Sequence, residues 1–194
     1  MKRGTGAAFA LFLTACATGP SANQHYRDAL LAISHKTVSA EPIRLLDEAI
    51  RIDPRHSEAL LLRAALFRKE GKLPEAIADL TSYLEISPGD ANAFLHRGIL
   101  YVLSSDVERA EADFGMALHL KPYLVEVYLH RGVLYRVLGR REESERDFAR
   151  ARVIGHRLAG TFYKQARDLG DRGDLDGARK QITFAIELDP DFAD

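Results

Sequence analysis

Cysteine is the scarcest reactive residue in this sequence, because it occurs once, as Cys16. A single thiol cannot form a disulfide within the chain, so the folded domain cannot rely on covalent cross-links. Tryptophan is absent, and acidic and basic residues almost cancel, which gives a formal net charge of −1. A chain with this balance has no overall basic field that would attract nucleic acid.

A long apolar run is also lacking near the N-terminus. Residues 7–13 (AAFALFL) are too few to span a bilayer, and they follow Lys2 and Arg3. This arrangement is typical of a secretory signal peptide. The run leads into Leu13-Thr14-Ala15-Cys16, which resembles the bacterial lipobox, where cleavage precedes a cysteine that is then lipidated. The alternative is an ordinary signal peptide cut near Ala15 or Ala17, with Cys16 unused.

The lipobox resemblance implies a division of the N-terminal region. Residues 1–15 form the signal peptide, residues 16–22 form the lipidated Cys16 and a short tether, and residues 23–194 form the domain. Cleavage changes the formal net charge from −1 to −3, because Lys2 and Arg3 are removed. Ala17, rather than aspartate, follows the cysteine, which implies an outer membrane location facing the periplasm. The tether reaches roughly 20 Å, so the domain is expected close to the lipid.

Proline is infrequent but regularly placed. Pro54, Pro88 and Pro122 are 34 residues apart, and the segment HRGILY at 96–101 returns as HRGVLY at 130–135. A 34-residue period that contains two helical patterns is typical of the tetratricopeptide repeat (TPR). The sequence resembles this family most clearly over residues 57–192.

The resemblance implies an all-α solenoid, a right-handed superhelix of about five helix-turn-helix hairpins. Complete repeats are predicted at 57–90, 91–124, 125–158 and 159–192, after an irregular repeat at 23–56 that caps the array. Three positions depart from the pattern: Leu30 replaces a small residue, Tyr83 replaces alanine, and His156 replaces the proline. His156 weakens the turn signal after the repeat at 125–158.

Two positions vary together across the repeats. The seventh position reads Ala29, Arg63, Arg97, Arg131 and Gln165, and the position sixteen residues later reads Leu45, Asp79, Asp113, Asp147 and Gln181. Where the first position is arginine, the second is aspartate. Where the first is apolar, the second is apolar, and glutamine occurs with glutamine. Such covariation indicates contact between the two positions. We therefore predict ion pairs within three hairpins; shared ancestry of similar repeats is the alternative explanation.

The concave face of the solenoid is the predicted binding surface. In TPR proteins the inner positions of helix A line this groove, and here they are largely apolar, which favours an amphipathic helix or an extended apolar segment as the partner. The predicted groove residues are Leu61, Leu62, Ala65, Leu95, His96, Ile99, Val102, Leu129, His130, Val133, Tyr163, Lys164 and Arg167, with Leu103 and Val137 beside them. Packing between neighbouring helices is the alternative explanation for the apolar positions, and a solvated charged face is the alternative for the last three.

No enzymatic motif or cofactor site is evident. The sequence has no nucleophile elbow, HExxH motif, phosphate-binding loop or dinucleotide motif. His96 and His130 occupy equivalent positions, but no third ligand repeats beside them, so neither a metal nor another cofactor is expected. The basic clamp of chaperone-binding TPR proteins is missing as well, because leucine, isoleucine and valine occupy the corresponding positions.

These observations predict a lipid-anchored, non-enzymatic adaptor that binds another envelope protein. The combination of lipobox and TPR resembles two kinds of lipoprotein: pilotins of type IV pilus secretins, and scaffolds of peptidoglycan hydrolases and proteases. A self-associating structural lipoprotein is the alternative, and an enzyme subunit or metal protein is a third possibility. The identity of the partner does not follow from the sequence.

Overall fold

The computed structural model describes residues 19–34 and 41–189, and within them the chain forms nine α-helices. The predicted signal peptide, Cys16, the first tether residues and residues 190–194 lie outside the described residues. The helices are α1 (Ala22–Ser34), α2 (Glu41–Ile52), α3 (Ser57–Lys69), α4 (Leu73–Ile86), α5 (Ala91–Leu103), α6 (Val107–Leu120), α7 (Val125–Val137), α8 (Arg141–Asp171) and α9 (Leu175–Leu188). None of the described helices is long and apolar enough to cross a membrane.

The helices pair as consecutive antiparallel hairpins that stack along the chain. Close packing within a hairpin depends on the small eighth position of each repeat. A Cβ added to Gly98 in α5 would lie 2.8 Å from Cε1 of the buried Phe114 in α6, and one added to Gly132 would lie 3.1 Å from Cε1 of Phe148. The small residues at this position therefore allow the two helices of a hairpin to pack in close contact.

The turns inside the hairpins require a residue in the left-handed region. Gly71, Gly139 and Gly173 have φ values of 75°, 75° and 82° at equivalent places. In the hairpin of α5 and α6 the same place is held by Ser105, with φ of 62°, although a side chain disfavours this conformation. Asp106 follows, and its side chain caps α6 by accepting a hydrogen bond from the backbone N–H of Arg109 at 3.2 Å.

Tyr83 shows why one repeat tolerates a large residue where the others have alanine. The ring is 9% exposed and packs with Leu60, Leu84 and Ala93 between successive hairpins. Its hydroxyl donates a hydrogen bond of 2.9 Å to Asp90, whose other oxygen accepts from the backbone N–H of Asn92. Tyr83 thus links α4 to the N-terminal cap of α5.

The first hairpin differs from the others at the eighth position. Leu30 at the eighth position is 41% exposed, whereas Ala29, one residue earlier, is fully buried against α2. The contact surface of α1 is therefore shifted by one residue relative to the other A helices. Residues 35–40, which connect α1 to α2, lie outside the described residues.

The C-terminal part departs from the predicted hairpin boundaries. Helix α8 runs without interruption for 31 residues, so it contains both the second helix of the repeat at 125–158 and the first helix of the repeat at 159–192. The predicted boundary at residues 158 and 159 falls inside this helix. His156 occupies the place of the proline, and it neither lacks a backbone N–H nor clashes with the preceding turn, so nothing stops the helix. Helix α9 then packs against α8.

Candidate functional site

Three arginine–aspartate pairs join the two helices of successive hairpins. Each guanidinium makes two hydrogen bonds to the carboxylate sixteen residues later, at 2.6 and 2.8 Å in the first pair and 2.8 Å in the others. The pairs are Arg63 with Asp79, Arg97 with Asp113, and Arg131 with Asp147. The aspartate side chains are only 6–8% exposed, so these contacts are part of the structural core.

Two of the three arginines also contact the preceding hairpin, and the repeat pattern does not indicate these contacts. Nη1 of Arg63 lies 2.7 Å from Asp47, and Nη1 of Arg97 lies 3.1 Å from Thr81, each sixteen residues earlier. The equivalent of these acceptors for Arg131 is Gly115, which has no side chain. Hydrogen bonds to the aspartates raise the pKa of Arg63, Arg97 and Arg131, so the guanidiniums stay charged and serve as structural links.

No such pair connects the helices of the last hairpin. Gln165 and Gln181 stand at the two equivalent positions, and the described structure contains no hydrogen bond between them. Oε1 of Gln181 is buried without a hydrogen-bond partner among the described residues. Side-chain hydrogen bonds between these positions therefore occur in the three arginine–aspartate hairpins, while Ala29 and Leu45 of the first hairpin belong to one core cluster.

An apolar groove of about 460 Å³ lies between α5 and α7 on the predicted binding face. Its lining residues are Ile99, Val102, Leu103, Ser105, Val107, His130, Val133, Leu134, Val137 and Leu138. Leu103, Val133 and Val137 are 58%, 53% and 80% exposed. Large aliphatic side chains with this exposure, gathered in one concavity, indicate a surface for an apolar partner.

The groove contains helix-A positions that the repeat pattern predicts and a rim that the pattern does not predict. Ile99, Val102, His130 and Val133 line it as predicted positions, together with Leu103 and Val137. The missed residues include Val107 in the first turn of α6 and Leu138 after α7, which lie outside the helix-A positions that the repeat pattern assigns to the groove. The sequence feature that could have indicated these two residues is their apolar side chain next to a turn.

Comparisons with known proteins agree with this architecture. The tetratricopeptide repeat family model matches residues 40–91, and no curated protein matches the sequence. The solved structure of MamA protein has a TM-score of 0.67 at 17% identity, covering 90% of this chain and 95% of the other. The TPR fold is therefore the fold of this chain.

Two further solved structures have the same TPR fold. MamA from Desulfovibrio magneticus RS-1 gives a TM-score of 0.65 at 16% identity over 70% of this chain and 76% of its own. YrrB, described as a TPR protein with an unusual peptide-binding site, gives 0.61 at 18% identity over 91% of both chains. At these identities the comparison establishes the fold.

Three predicted groove residues on the inner TPR positions are differently placed. Leu95 is only 5% exposed and packs in the core around Phe114, so it is not available to a partner. Leu62 is half-buried against the first hairpin. Leu129 is 43% exposed but does not line the groove.

A smaller hollow of about 80 Å³ lies between α3 and α5. Leu61, Ala65 and His96 line it together with Arg68, so these three predicted residues form a separate concavity. Tyr163, Lys164 and Arg167 lie on the second half of α8, which contributes no residue to either concavity. The predicted set is thus divided among a main groove, a small hollow and a helix beyond them.

Both histidines of the binding face are shifted towards the neutral form. Partial burial lowers the pKa of His96 and of His130, and the positive charge of Arg68 lowers that of His96 further. Neutral imidazoles suit a groove that receives apolar groups. Among the described residues, no three or more histidine, cysteine, aspartate or glutamate side chains are grouped as a metal site.

Proposed function

We propose that this protein is a lipid-anchored adaptor of the bacterial envelope that binds an apolar segment of another protein in the groove between α5 and α7. The exposure of Val133 and Val137 in that groove is the observation that carries the proposal. An exposed aliphatic groove of this kind gains free energy when a partner removes it from water. Its TPR fold is shared with YrrB, a protein described as having a peptide-binding site.

The chemistry of the lining defines the partner segment. Aliphatic side chains dominate the groove, and the only ionisable lining group is His130, whose lowered pKa favours the neutral form. An amphipathic helix that presents leucine, isoleucine or phenylalanine at helical spacing fits such a surface, as does an extended apolar strand. A partner segment rich in charge has no counter-charge among these residues.

The proposed anchor is the acylated Cys16, with residues 1–15 removed as the signal peptide. An anchor with several acyl chains holds a protein durably on a bilayer, whereas a single chain does not. Metabolic labelling of cells with palmitate is expected to label the wild-type chain and not its Cys16→Ser variant. If the variant incorporates as much label as the wild type, attachment through this cysteine is wrong.

Site-specific photocrosslinking in living cells tests the groove. A photoreactive side chain placed at Val133 or Val137 is expected to capture one envelope protein through an apolar segment, identified by mass spectrometry. The matched control is Met116 on α6, which is 42% exposed but outside the groove. Equal capture from Met116 and Val133 would reject the groove as the binding site.

A charge introduced into the groove provides the second arm of this experiment. Val133→Glu together with Val137→Glu is expected to abolish the crosslink, because a partner would have to bury two carboxylates. Leu31→Glu with Met116→Glu is the control, since both side chains are exposed outside the groove.

Pilus secretins and peptidoglycan hydrolases are the two classes of captured protein expected from the lipoprotein resemblance. Capture of a second copy of this chain would instead support a self-associating structural protein.

A further inference from the structure

The middle of α8 is basic, although the chain as a whole carries a net negative charge. Between Phe148 and Arg167 there are five lysine or arginine residues and no aspartate or glutamate. The five are Arg150, Arg152, Arg157, Lys164 and Arg167. The formal charge of the whole chain is −1, so positive charge is concentrated on this stretch.

These cations are exposed, and the acidic residue that borders them on the same face is Asp168, four residues after Lys164. All five are exposed, and none makes an ion pair within the described residues. By contrast, His156 on the same helix contacts Asp189 at 2.6 Å, so it is not counted with them. The guanidinium of Arg157 lies 5.0 Å from the centre of the Tyr123 ring, which leaves its charge available.

The spacing places the central cations on one side of the helix. Arg150, Arg157 and Lys164 are seven residues apart, which is close to two turns, so they share one face. Val153 lies between them on that face and is 59% exposed, and Tyr163 beside Lys164 is 52% exposed. The segment from Phe148 to Arg167 is about 28 Å long at the rise of an α-helix.

We propose that this basic face of α8 binds the surface of an anionic phospholipid bilayer. Cations with an exposed aliphatic side chain between them match the chemistry of that surface, where headgroups are negative and the acyl boundary accepts apolar groups. The face lies along an unbroken helix, which suits contact with a flat partner. The proposal rests on the lipid anchor proposed above, since the tether from Cys16 holds the domain beside such a surface.

A second membrane contact at the other end of the chain has a consequence for the groove. One lipid attachment leaves the domain free to tumble on its tether, whereas a tether plus a basic patch fixes its orientation. The groove between α5 and α7 then presents a defined side to partners in the same membrane.

Vesicle binding by residues 16–194 carrying Cys16→Ser tests this inference without any acyl group and without Lys2, Arg3 and the apolar run of the signal peptide. The protein is sedimented with neutral phosphatidylcholine vesicles and with vesicles that also contain phosphatidylglycerol. We expect stronger binding to the anionic vesicles, and we expect added salt to remove the difference. Equal binding to both vesicles would overturn the proposal.

Two triple variants locate the contact. Arg150→Glu with Arg157→Glu and Lys164→Glu is expected to weaken binding to anionic vesicles by more than about 100-fold. The control, Arg27→Glu with Arg55→Glu and Lys69→Glu, makes the same change of charge at exposed sites elsewhere. Equal losses in the two variants would overturn the assignment to α8. If the first variant does not fold, glutamine at the same three positions replaces glutamate, with an expected loss of about 100-fold.

An acidic polypeptide is the competing partner for this face. Tight binding of polyglutamate by the Cys16→Ser chain, together with no preference for anionic vesicles, would overturn the membrane assignment in favour of an acidic protein. Photocrosslinking through Val133 in cells is unaffected by this result, so failure of the bilayer contact is distinguishable from failure of the groove.

Discussion

The hairpins between Ser57 and Val137 and the arm formed by α8 and α9 follow the same repeat pattern, yet they are assembled differently. In the first region each second helix ends near a proline, and the next first helix returns alongside the previous one. In the second region α8 continues through Gly155 and carries residues 159–171 past the end of α7. Leu95 in α5 is 5% exposed, whereas Leu129, its equivalent in α7, is 43% exposed. One missing turn therefore changes a core position into a surface position.

The polar contacts differ between the two regions as well. The regular hairpins are linked by buried arginine–aspartate pairs, whereas the arm has Gln165 and Gln181 at the same positions without a hydrogen bond between them. The regular stack is thus tied both within and between hairpins, and the arm depends on the packing of α9 against α8. Substitutions that give one region a residue of the other test how much each feature contributes to the free energy of unfolding.

The largest effect is expected from breaking one buried pair. Arg97→Gln leaves the carboxylate of Asp113, which is 6% exposed, without its cation, so the free energy of unfolding should fall by about 3–5 kcal/mol. Chemical denaturation measures this change. The control is Gln165→Ala in the arm, an exposed position where a change within about 0.5 kcal/mol is expected.

Combining Arg97→Gln with Asp113→Gln recreates the amide pair of the arm within the regular stack. Because the double variant contains no unpaired buried charge, its loss should be smaller than the sum of the two single losses. Strictly additive losses would contradict an energetic coupling between Arg97 and Asp113.

A proline at position 156 tests whether α8 is continuous. His156→Pro restores the residue that ends the equivalent helices, but inside an unbroken helix it should cost about 3 kcal/mol. Unfolding experiments and circular dichroism measure the loss of stability and of helicity. His156→Ala controls for the lost contact with Asp189. If proline is as well tolerated as alanine, the chain turns at this place and the difference between the two regions disappears.

Gly98→Ala gives the hairpin of α5 and α6 the residue that the arm has at this position, Ala166, and that the hairpin of α3 and α4 has as Ala64. The added Cβ would meet the Phe114 ring at 2.8 Å, so we expect a loss of about 1–2 kcal/mol despite the better helix propensity of alanine. Gly115→Ala in the same hairpin is the matched control, since its Cβ would meet nothing within 4 Å. That control should gain about 0.5–1 kcal/mol. Thermal melts giving the same sign for both variants would refute the close-packing argument.

The smallest expected effect concerns the turn after α5. Ser105→Gly gives this turn the residue found at Gly71, Gly139 and Gly173, and it should raise the free energy of unfolding by about 1 kcal/mol. Ser104→Gly, one residue earlier with φ of −90°, should bring no gain. A loss of stability in Ser105→Gly would mean that the serine side chain contributes more than its strained backbone costs.

Much of the site was predictable because the repeats can be compared with one another. The covariation of arginine with aspartate indicated the contacts of Arg63, Arg97 and Arg131, and the helix-A pattern indicated Ile99, Val102 and Val133 in the groove. The links to Asp47 and Thr81 were not predicted, because they join neighbouring hairpins and need the stacking geometry. The burial of Leu95 escaped prediction for the same reason, since its position in the pattern is identical to that of the exposed Leu129.

The sequence by itself determined the all-helical hairpins, the close approach of their helices and the pairs within them, because each of these depends on residues at a fixed short spacing. Only the tertiary structure decided which apolar positions are core and which form a groove, because that depends on whether the next helix returns. His156 weakened the turn signal, but the unbroken α8 became visible only in three dimensions, and with it the open face of α7 and the basic face of α8.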